Sequence, residues 1–448
     1  MNLMLDIARY LMILLMACYT YLNFRYFGVG DDKKRRICRT QNVVMFFNHF
    51  LAYVIIYLMT GDGRMLVFYG AQVLFFACYI GFSRLFYRNI SRLLLNNMCM
   101  LLSVGFIMLT RLSNVRARRQ FAIVVIAAVV TLILPFLIGR LWQLSRIPWV
   151  YGILGLALLG VVCVIGNSSY GAQLSLSIGG VSFQPSEFVK ITFVFFVASM
   201  FYKSTGFRTV LVTTAMAALH VLVLVLSKDL GSALIYFITY LFMLFVATSN
   251  WLYLGAGTLG GCGAAVLAYQ LFSHVRVRVA AWKNPWADID NKGYQITQSL
   301  FAIGTGGWFG MGLYQGMPGK IPVVEKDFVF AAVSEELGGI FALCVLLICL
   351  GCFLQFMMTA SRMQASFFKL LAFGLGVMYA VQVILTVGGV IKFIPSTGVT
   401  LPLVSYGGSS IFATFIIFGV IQGLYILKEN EEEEDDYDME PEKRGRRG

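Results

Sequence analysis

The stretch LLAFGLGVMYAVQVILTVGGVI, residues 370–391, decides the fold class: it runs twenty-two residues without a charged side chain. A helix crossing the hydrocarbon core of a bilayer needs roughly 20 predominantly apolar residues. Runs of this kind recur along the chain. Thirteen spans are predicted, at 7–24, 42–61, 65–83, 93–110, 121–139, 149–166, 184–202, 209–226, 230–249, 251–272, 328–358, 370–391 and 409–427. Composition agrees. Of 448 residues, 59% are hydrophobic and 13% charged, against about half and about a quarter in soluble domains. The expected fold is an all-α polytopic membrane protein, with membrane lipids as its surroundings.

Several chemistries fall away at once. Of nine cysteines, only Cys38 lies outside the apolar runs, and it stands alone in a basic segment; no disulfide framework is expected. The three histidines, His49, His220 and His274, fit no ligand spacing, so no metal site is assigned. The net charge of +13 conceals an asymmetry: residues 428–448 carry ten acids and five bases, leaving twelve acids and thirty bases in the rest. Those bases are dispersed and accompany no nucleic-acid motif, so no nucleic-acid partner is expected. The acidic tail is predicted disordered, being poor in apolar residues and dense in like charge.

Orientation follows from Lys and Arg in short loops. Lys33, Lys34, Arg35, Arg36 and Arg39 place the first loop in the cytoplasm. The first span is then an anchor whose start lies outside, not a cleaved signal peptide. Alternation puts the groups at Arg84, Arg140, Lys203 and Arg362 inside, with the C-terminus. Arg111, Arg116, Arg118 and Arg119 fall outside and conflict with the rule.

The outer side then holds the long loops 167–186, 273–327 and 392–408. Residues 294–303 (YQITQSLFAI) are predicted to form a short helix in the largest of them, stopped by the glycines from Gly304 to Gly312. Eight acids, Glu187, Asp229, Asp288, Asp290, Glu325, Asp327, Glu335 and Glu336, all map to outer loops or outer helix ends. Ionisable groups at membrane depth are functional candidates by default. Glu187 and Lys190 are three apart and share a helix face: they form a neutralising internal pair, line a polar cavity that offers Lys190 to an anion, or do both. Asp327 precedes an apolar helix and reads as a cap or as a catalytic acid. The segment 395–410, PSTGVTLPLVSYGGSS, is either a tight re-entrant turn or a hydroxyl-lined wall, Ser405 included, for a polar head group.

Five blocks resemble the SEDS family of FtsW, RodA and SpoVE: SIGGVSFQPSEFVK (177–190), KDLGSAL (228–234), NPWADIDNKGYQITQSLFAIGTGGWFGMGL (284–313), DFVFAAVSEELG (327–338) and IPSTGVTLPLVSYGGSS (394–410). They stand in the family's order and spacing across residues 93–427. The resemblance implies ten core helices, with the large extracellular loop between the seventh and eighth. Residues 1–84 then add three N-terminal transmembrane helices, residues 85–427 form the glycosyltransferase core and 428–448 the cytoplasmic tail. An odd number of added helices agrees with an outside N-terminus and an inside C-terminus in the bacterial cytoplasmic membrane.

The resemblance also implies an activity: polymerising lipid II into glycan strands on the outer face of that membrane, for cell shape, division or sporulation. A class B penicillin-binding protein would be the transpeptidase partner. The family's loop acid falls on Asp327, the Lys after its Gln-Pro-Ser-Glu on Lys190, and the Arg upstream of Asn-Pro-Trp on Arg278. Gln295 and Gln298 on the loop helix are candidate sugar contacts. The family's Pro-Glu-Ala-His-Thr-Asp run reads Pro322-Val323-Val324-Glu325-Lys326-Asp327 here, its Arg-Trp is missing from GAQLSLSIGG, and its Gln-Pro-Asp becomes Ser227-Lys228-Asp229. The reaction needs a base near the attacking hydroxyl and positive charge near the departing pyrophosphate, so no cofactor is assigned and a requirement for a divalent cation, Mg or Mn, stays open. A lipid II flippase and a non-catalytic scaffold for the penicillin-binding protein are the alternative functions.

Overall fold

The computed structural model describes residues 2–138, 141–169, 172–178 and 181–445. Helices α1 (Asn2–Arg25), α2 (Asp31–Thr60) and α3 (Arg64–Phe86) come first. Then follow α4 (Arg92–Leu112), α5 (Asn114–Thr131), the short α6 (Leu134–Ile138) and α7 (Pro148–Ile165). After a small sheet come α8 (Pro185–Lys203), α9 (Phe207–Leu226), α10 (Leu230–Thr248) and α11 (Trp251–Leu271). The large loop contains α12 (Ser273–Lys283), α13 (Tyr294–Gly306) and α14 (Val329–Leu337). The chain ends with α15 (Gly339–Arg362), α16 (Ser366–Val390) and α17 (Gly408–Gly445). Among the described residues thirteen helical segments, α5 and α6 counting as one, are long and apolar enough to cross a membrane.

Burial sorts these helices into centre and rim. In α4 every residue from Leu93 to Thr110 is buried, as suits a helix apolar on all sides. Helices α8 and α16 are nearly as enclosed, whereas α11 buries no residue and lies at the rim. The N-terminal helices are held on α4 by a polar seam. Asn97 donates to Asn23 Oδ1 at 2.7 Å and accepts from the Tyr19 hydroxyl at 3.1 Å. Asn96 donates to Cys38 O and Gln41 Oε1, His49 Nδ1 lies 2.8 Å from Ser103 Oγ, and the Tyr53 and Thr110 hydroxyls pair at 2.9 Å. Between apolar helices such bonds give register that dispersion alone does not.

Several expectations are corrected. The span 328–358 is two helices, not one. Gly338 breaks it at φ +94°, and a Cβ there would lie 2.5 Å from Gly310 N. The basic residues 33–39 form the first turns of α2 rather than a loop: thirty residues at about 1.5 Å each exceed a bilayer core of about 30 Å, so the basic end projects beyond it. The all-α reading holds for the spans, but loop 167–186 contains three short antiparallel strands, β1 (Asn167–Ser169), β2 (Ala172–Ile178) and β3 (Val181–Phe183), in the order β1-β2-β3. The alternation in AQLSLSI carries that signal. The tail expected to be disordered continues α17 as far as Gly445. An existing helix propagates without a new nucleus, Glu is a good helix former, and Lys428 spans Glu429 at 2.6 Å and Glu432 at 2.9 Å. The loop helix expected at 294–303 is present as α13.

Candidate active site

The loop 394–410 is the floor of the candidate site, and protein groups bond its backbone, as irregular chain at membrane depth requires. Gln382 of α16 donates to Thr400 O at 3.0 Å, Thr386 to Val399 O at 3.1 Å, and Gln120 of α5 to Ser405 O at 2.9 Å. Tyr406 N–H donates to Glu325 O at 2.7 Å, which joins this floor to the strand of chain leading to Asp327. Gly231 and Gly105 allow the close approach: a Cβ on either would meet the loop, at 2.4 Å from Val399 Cγ2 and 2.8 Å from Leu403 O.

Asp327 and Arg278 both approach Gly398 of this loop, close enough for their charges to act on each other. Gly398, at φ +75°, faces both: a Cβ there would lie 3.6 Å from Asp327 Oδ2 and 3.7 Å from Arg278 Nη2. Arg278 Nη1 also donates to Ser396 O at 3.0 Å, so α12 leans its cation onto the loop. Phe328, not Asp327, is the N-cap of α14, and no side-chain cap bond is made; the capping reading of Asp327 is thereby set aside. Burial pushes the Asp327 carboxyl up to about 6, against the pull of Lys326 and Arg278 and with a further push from Glu325. The neighbouring His274 imidazole is held below its usual range by burial and by the charges of Arg278 and Lys228. Two cations, Arg278 and Lys326, thus act on Asp327. A cavity of about 340 Å³ lies alongside, lined by Arg116, Pro322, Glu325 and Lys326 among others.

Asp229 is the N-cap of α10, accepting from Ser232 N–H at 3.1 Å, and Ser186 Oγ donates to its other oxygen at 3.1 Å. Burial raises its carboxyl above the usual range despite these bonds. Asp229 thus serves as a helix cap.

The remaining expected site residues divide. Glu187 and Lys190 do pair, Nζ to Oε2 at 2.6 Å. Lys190 is 3% exposed and also donates to Gln382 Oε1 at 2.8 Å. Two protein groups thus engage the ammonium in this structure. A buried charge of this kind needs its counter-charge close by. Ser405 is buried, and its hydroxyl accepts Leu401 N–H at 2.9 Å, a bond that folds the loop. Gln295 donates to Pro322 O at 3.0 Å, bracing the chain before Asp327, and Gln298 is half-buried on the same helix. Glu336 pairs with Arg111 and Glu335 accepts Met317 N–H at 2.8 Å, both structural. Sequence reasoning missed Gln382, whose signal is a lone amide in a twenty-two-residue uncharged run. Among the described residues no three His, Cys, Asp or Glu side chains gather as metal ligands would.

Residues 84–430 match the model of the FtsW, RodA and SpoVE family, described as cell cycle proteins. RodA of Mycobacterium tuberculosis, named a peptidoglycan glycosyltransferase, is 36% identical over 300 residues, 62% of this chain and 64% of that protein. The match therefore spans less than two thirds of the mycobacterial relative's length. FtsW of Neisseria gonorrhoeae, named a probable peptidoglycan glycosyltransferase, is 29% identical over 344 residues, 65% of this chain and 74% of that one. Among solved structures, a chain of a peptidoglycan synthase complex that coordinates polymerization and crosslinking superposes with a TM-score of 0.65 at 24% identity, covering 76% of this chain and 98% of that one. RodA of Thermus thermophilus superposes at 0.56 and 23% identity, covering 75% and 96%. From the blocks in sequence order, the helical architecture and the matched 84–430 region, the chain belongs to the FtsW/RodA/SpoVE family, the SEDS proteins, and is a multi-pass membrane protein.

Proposed function

We propose that the chain is a peptidoglycan glycosyltransferase that polymerises lipid II on the outer face of the cytoplasmic membrane. The observation that carries the reading is Asp327: a carboxyl raised to about 6 by burial, beside Arg278, over a loop where Gly398 leaves room. In the step this supports, the 4-hydroxyl of an acceptor GlcNAc attacks the anomeric carbon of a MurNAc carried on undecaprenyl pyrophosphate. Asp327 takes the hydroxyl proton as the new carbon–oxygen bond forms. The bond to pyrophosphate breaks, its electron pair leaves with the phosphate, and the linkage inverts from α to β. Arg278, with Lys326 near by, supplies positive charge where negative charge grows.

The partner in this reading is a class B penicillin-binding protein, supported by the resemblance of the fold to a chain from a complex that polymerises and crosslinks. The orientation is an outside N-terminus and an inside C-terminus, supported by thirteen candidate spans and by the basic start of α2. Two of the four arginines that conflict with it have counter-charges: Arg111 pairs with Glu336 and Arg116 with Glu325. The test is direct. Purified chain with its cognate class B protein is incubated with lipid II, and glycan polymer is read on a gel. No polymer from the wild type, with lipid II crossing vesicles instead, would favour the flippase.

A further inference from the structure

The N-terminal helices reach the loop that leads to Asp327. From α1, Arg9 Nη1 donates to the carbonyl oxygens of Gly310 at 3.0 Å and Met311 at 3.4 Å, across three hundred residues of sequence. The guanidinium is itself held, by Asp6 Oδ1 at 3.2 Å and the Tyr10 hydroxyl at 3.1 Å. The Tyr10 ring meets Phe309 edge-on at 5.7 Å. Helix α1 therefore grips residues 309–311 with a charged donor and an aromatic contact.

That strap is interlocked with the end of α14. Met311 N–H donates to Glu335 O and Gly312 N–H to Glu336 O, both at 2.8 Å, while Gly339 and Ile340 donate back to Gly307 O and Trp308 O. Gly310 and Gly338 both adopt positive φ, and each occupies the space a Cβ on the other would need. The strap cannot shift without carrying the end of α14 along. Helix α14 has nine residues, so it is about 13 Å long, and Asp327 stands two residues before its start. Arg111 holds the same end from the core side through Glu336 and Gly316 O.

We propose that Arg9 is a positioning residue for Asp327: it fixes the strap 307–312, the strap fixes α14, and α14 sets the carboxylate against Arg278 and Gly398. The inference rests on the reading of Asp327 as the base. The N-terminal helices are then part of the catalytic apparatus and not only an added anchor.

The experiment uses the full chain with its cognate transpeptidase. Arg9→Gln and Arg9→Lys are compared with wild type in two measurements, lipid II polymerisation and backbone hydrogen exchange. For Arg9→Gln the expected result is a kcat lower by about 10-fold with KM for lipid II within about twofold, since a misplaced base loses rate more than binding. Exchange should rise in 306–312 and 329–337, and Arg9→Lys, which keeps one charged donor, should recover most of the rate. Unchanged kcat, or faster exchange confined to residues 2–25, overturns the proposal. If Arg9→Gln does not fold, Arg9→Met, which keeps the length of the side chain without a donor, takes its place: a lower kcat at constant KM supports the proposal and wild-type kinetics overturn it. A wild-type chain that makes no polymer sinks the polymerase reading instead, and the exchange pattern still decides the coupling.

Discussion

Arg111 Nε lies 2.9 Å from Glu336 Oε1, and the carboxylate is fully buried. The pair joins the end of α4 to the end of α14, with the Arg111 guanidinium also 4.3 Å above the Tyr314 ring. In the proposed orientation it accounts for an arginine on the outer side against the positive-inside tendency: its charge is met by protein and not left to the membrane surface. It also gives the first prediction. Glu336→Gln leaves Arg111 partly enclosed without its counter-charge, and breaking a buried pair typically costs about 3–5 kcal/mol. A thermal unfolding series in detergent should show Glu336→Gln clearly less stable than wild type; an unchanged midpoint would mean the pair contributes nothing.

Asp327→Asn keeps the size of the side chain but cannot accept the proton. Loss of a positioned general base costs about 10²–10⁴-fold in rate. The variant should fold, stay in the membrane, bind the partner and make almost no glycan polymer by gel. Near-normal polymer would move the search for the base to another acid.

Glu325→Gln should behave differently although it is only two residues away. Glu325 pairs with Arg116, which is 46% exposed, so the charge contributes about 1 kcal/mol or less. The loop is also held by the backbone bond from Tyr406 to Glu325 O, which the substitution keeps. Polymer yield within about threefold of wild type is expected, the scale of rate change that about 0.6 kcal/mol represents.

The pH profile carries a sign. The base works when deprotonated, and burial raises Asp327 to about 6. The rate constant kcat/KM should therefore fall as pH drops through about 6 and be level above it. Arg278 pulls that value down, so Arg278→Gln should move the acid limb to higher pH as well as lower the rate. A limb that stays in place, or moves down, would show that Arg278 does not act on Asp327.

Glu187 and Lys190 form the other buried pair. Lys190→Met alone strands the Glu187 carboxylate and should lower the unfolding midpoint more than the double change Glu187→Gln with Lys190→Met, which removes both charges. Equal losses in the single and double variants would show that the two do not interact.

The limits of the sequence reading are specific. A span such as 370–391 declares itself because partition into a bilayer depends on a short local run of apolar residues. The breaks in regularity were harder. Gly338 looks like one more glycine at the start of an apolar helix, and becomes a chain break only because Gly310 comes close enough to need its positive φ. The strands at 167–183 are too short to outweigh their setting between two membrane helices.

By itself the sequence determined the thirteen apolar spans, the family blocks and Asp327 as the acid to test, all properties of local composition and order. The tertiary structure decided which charges are free. Lys190 and Arg278 are equivalent as letters. One is closed off between Glu187 and Gln382, and the other stands beside Asp327 at Gly398. The hold of Arg9 on Gly310 could not be read from either segment, because a side-chain bond across three hundred residues depends on how helices pack and not on what either helix contains.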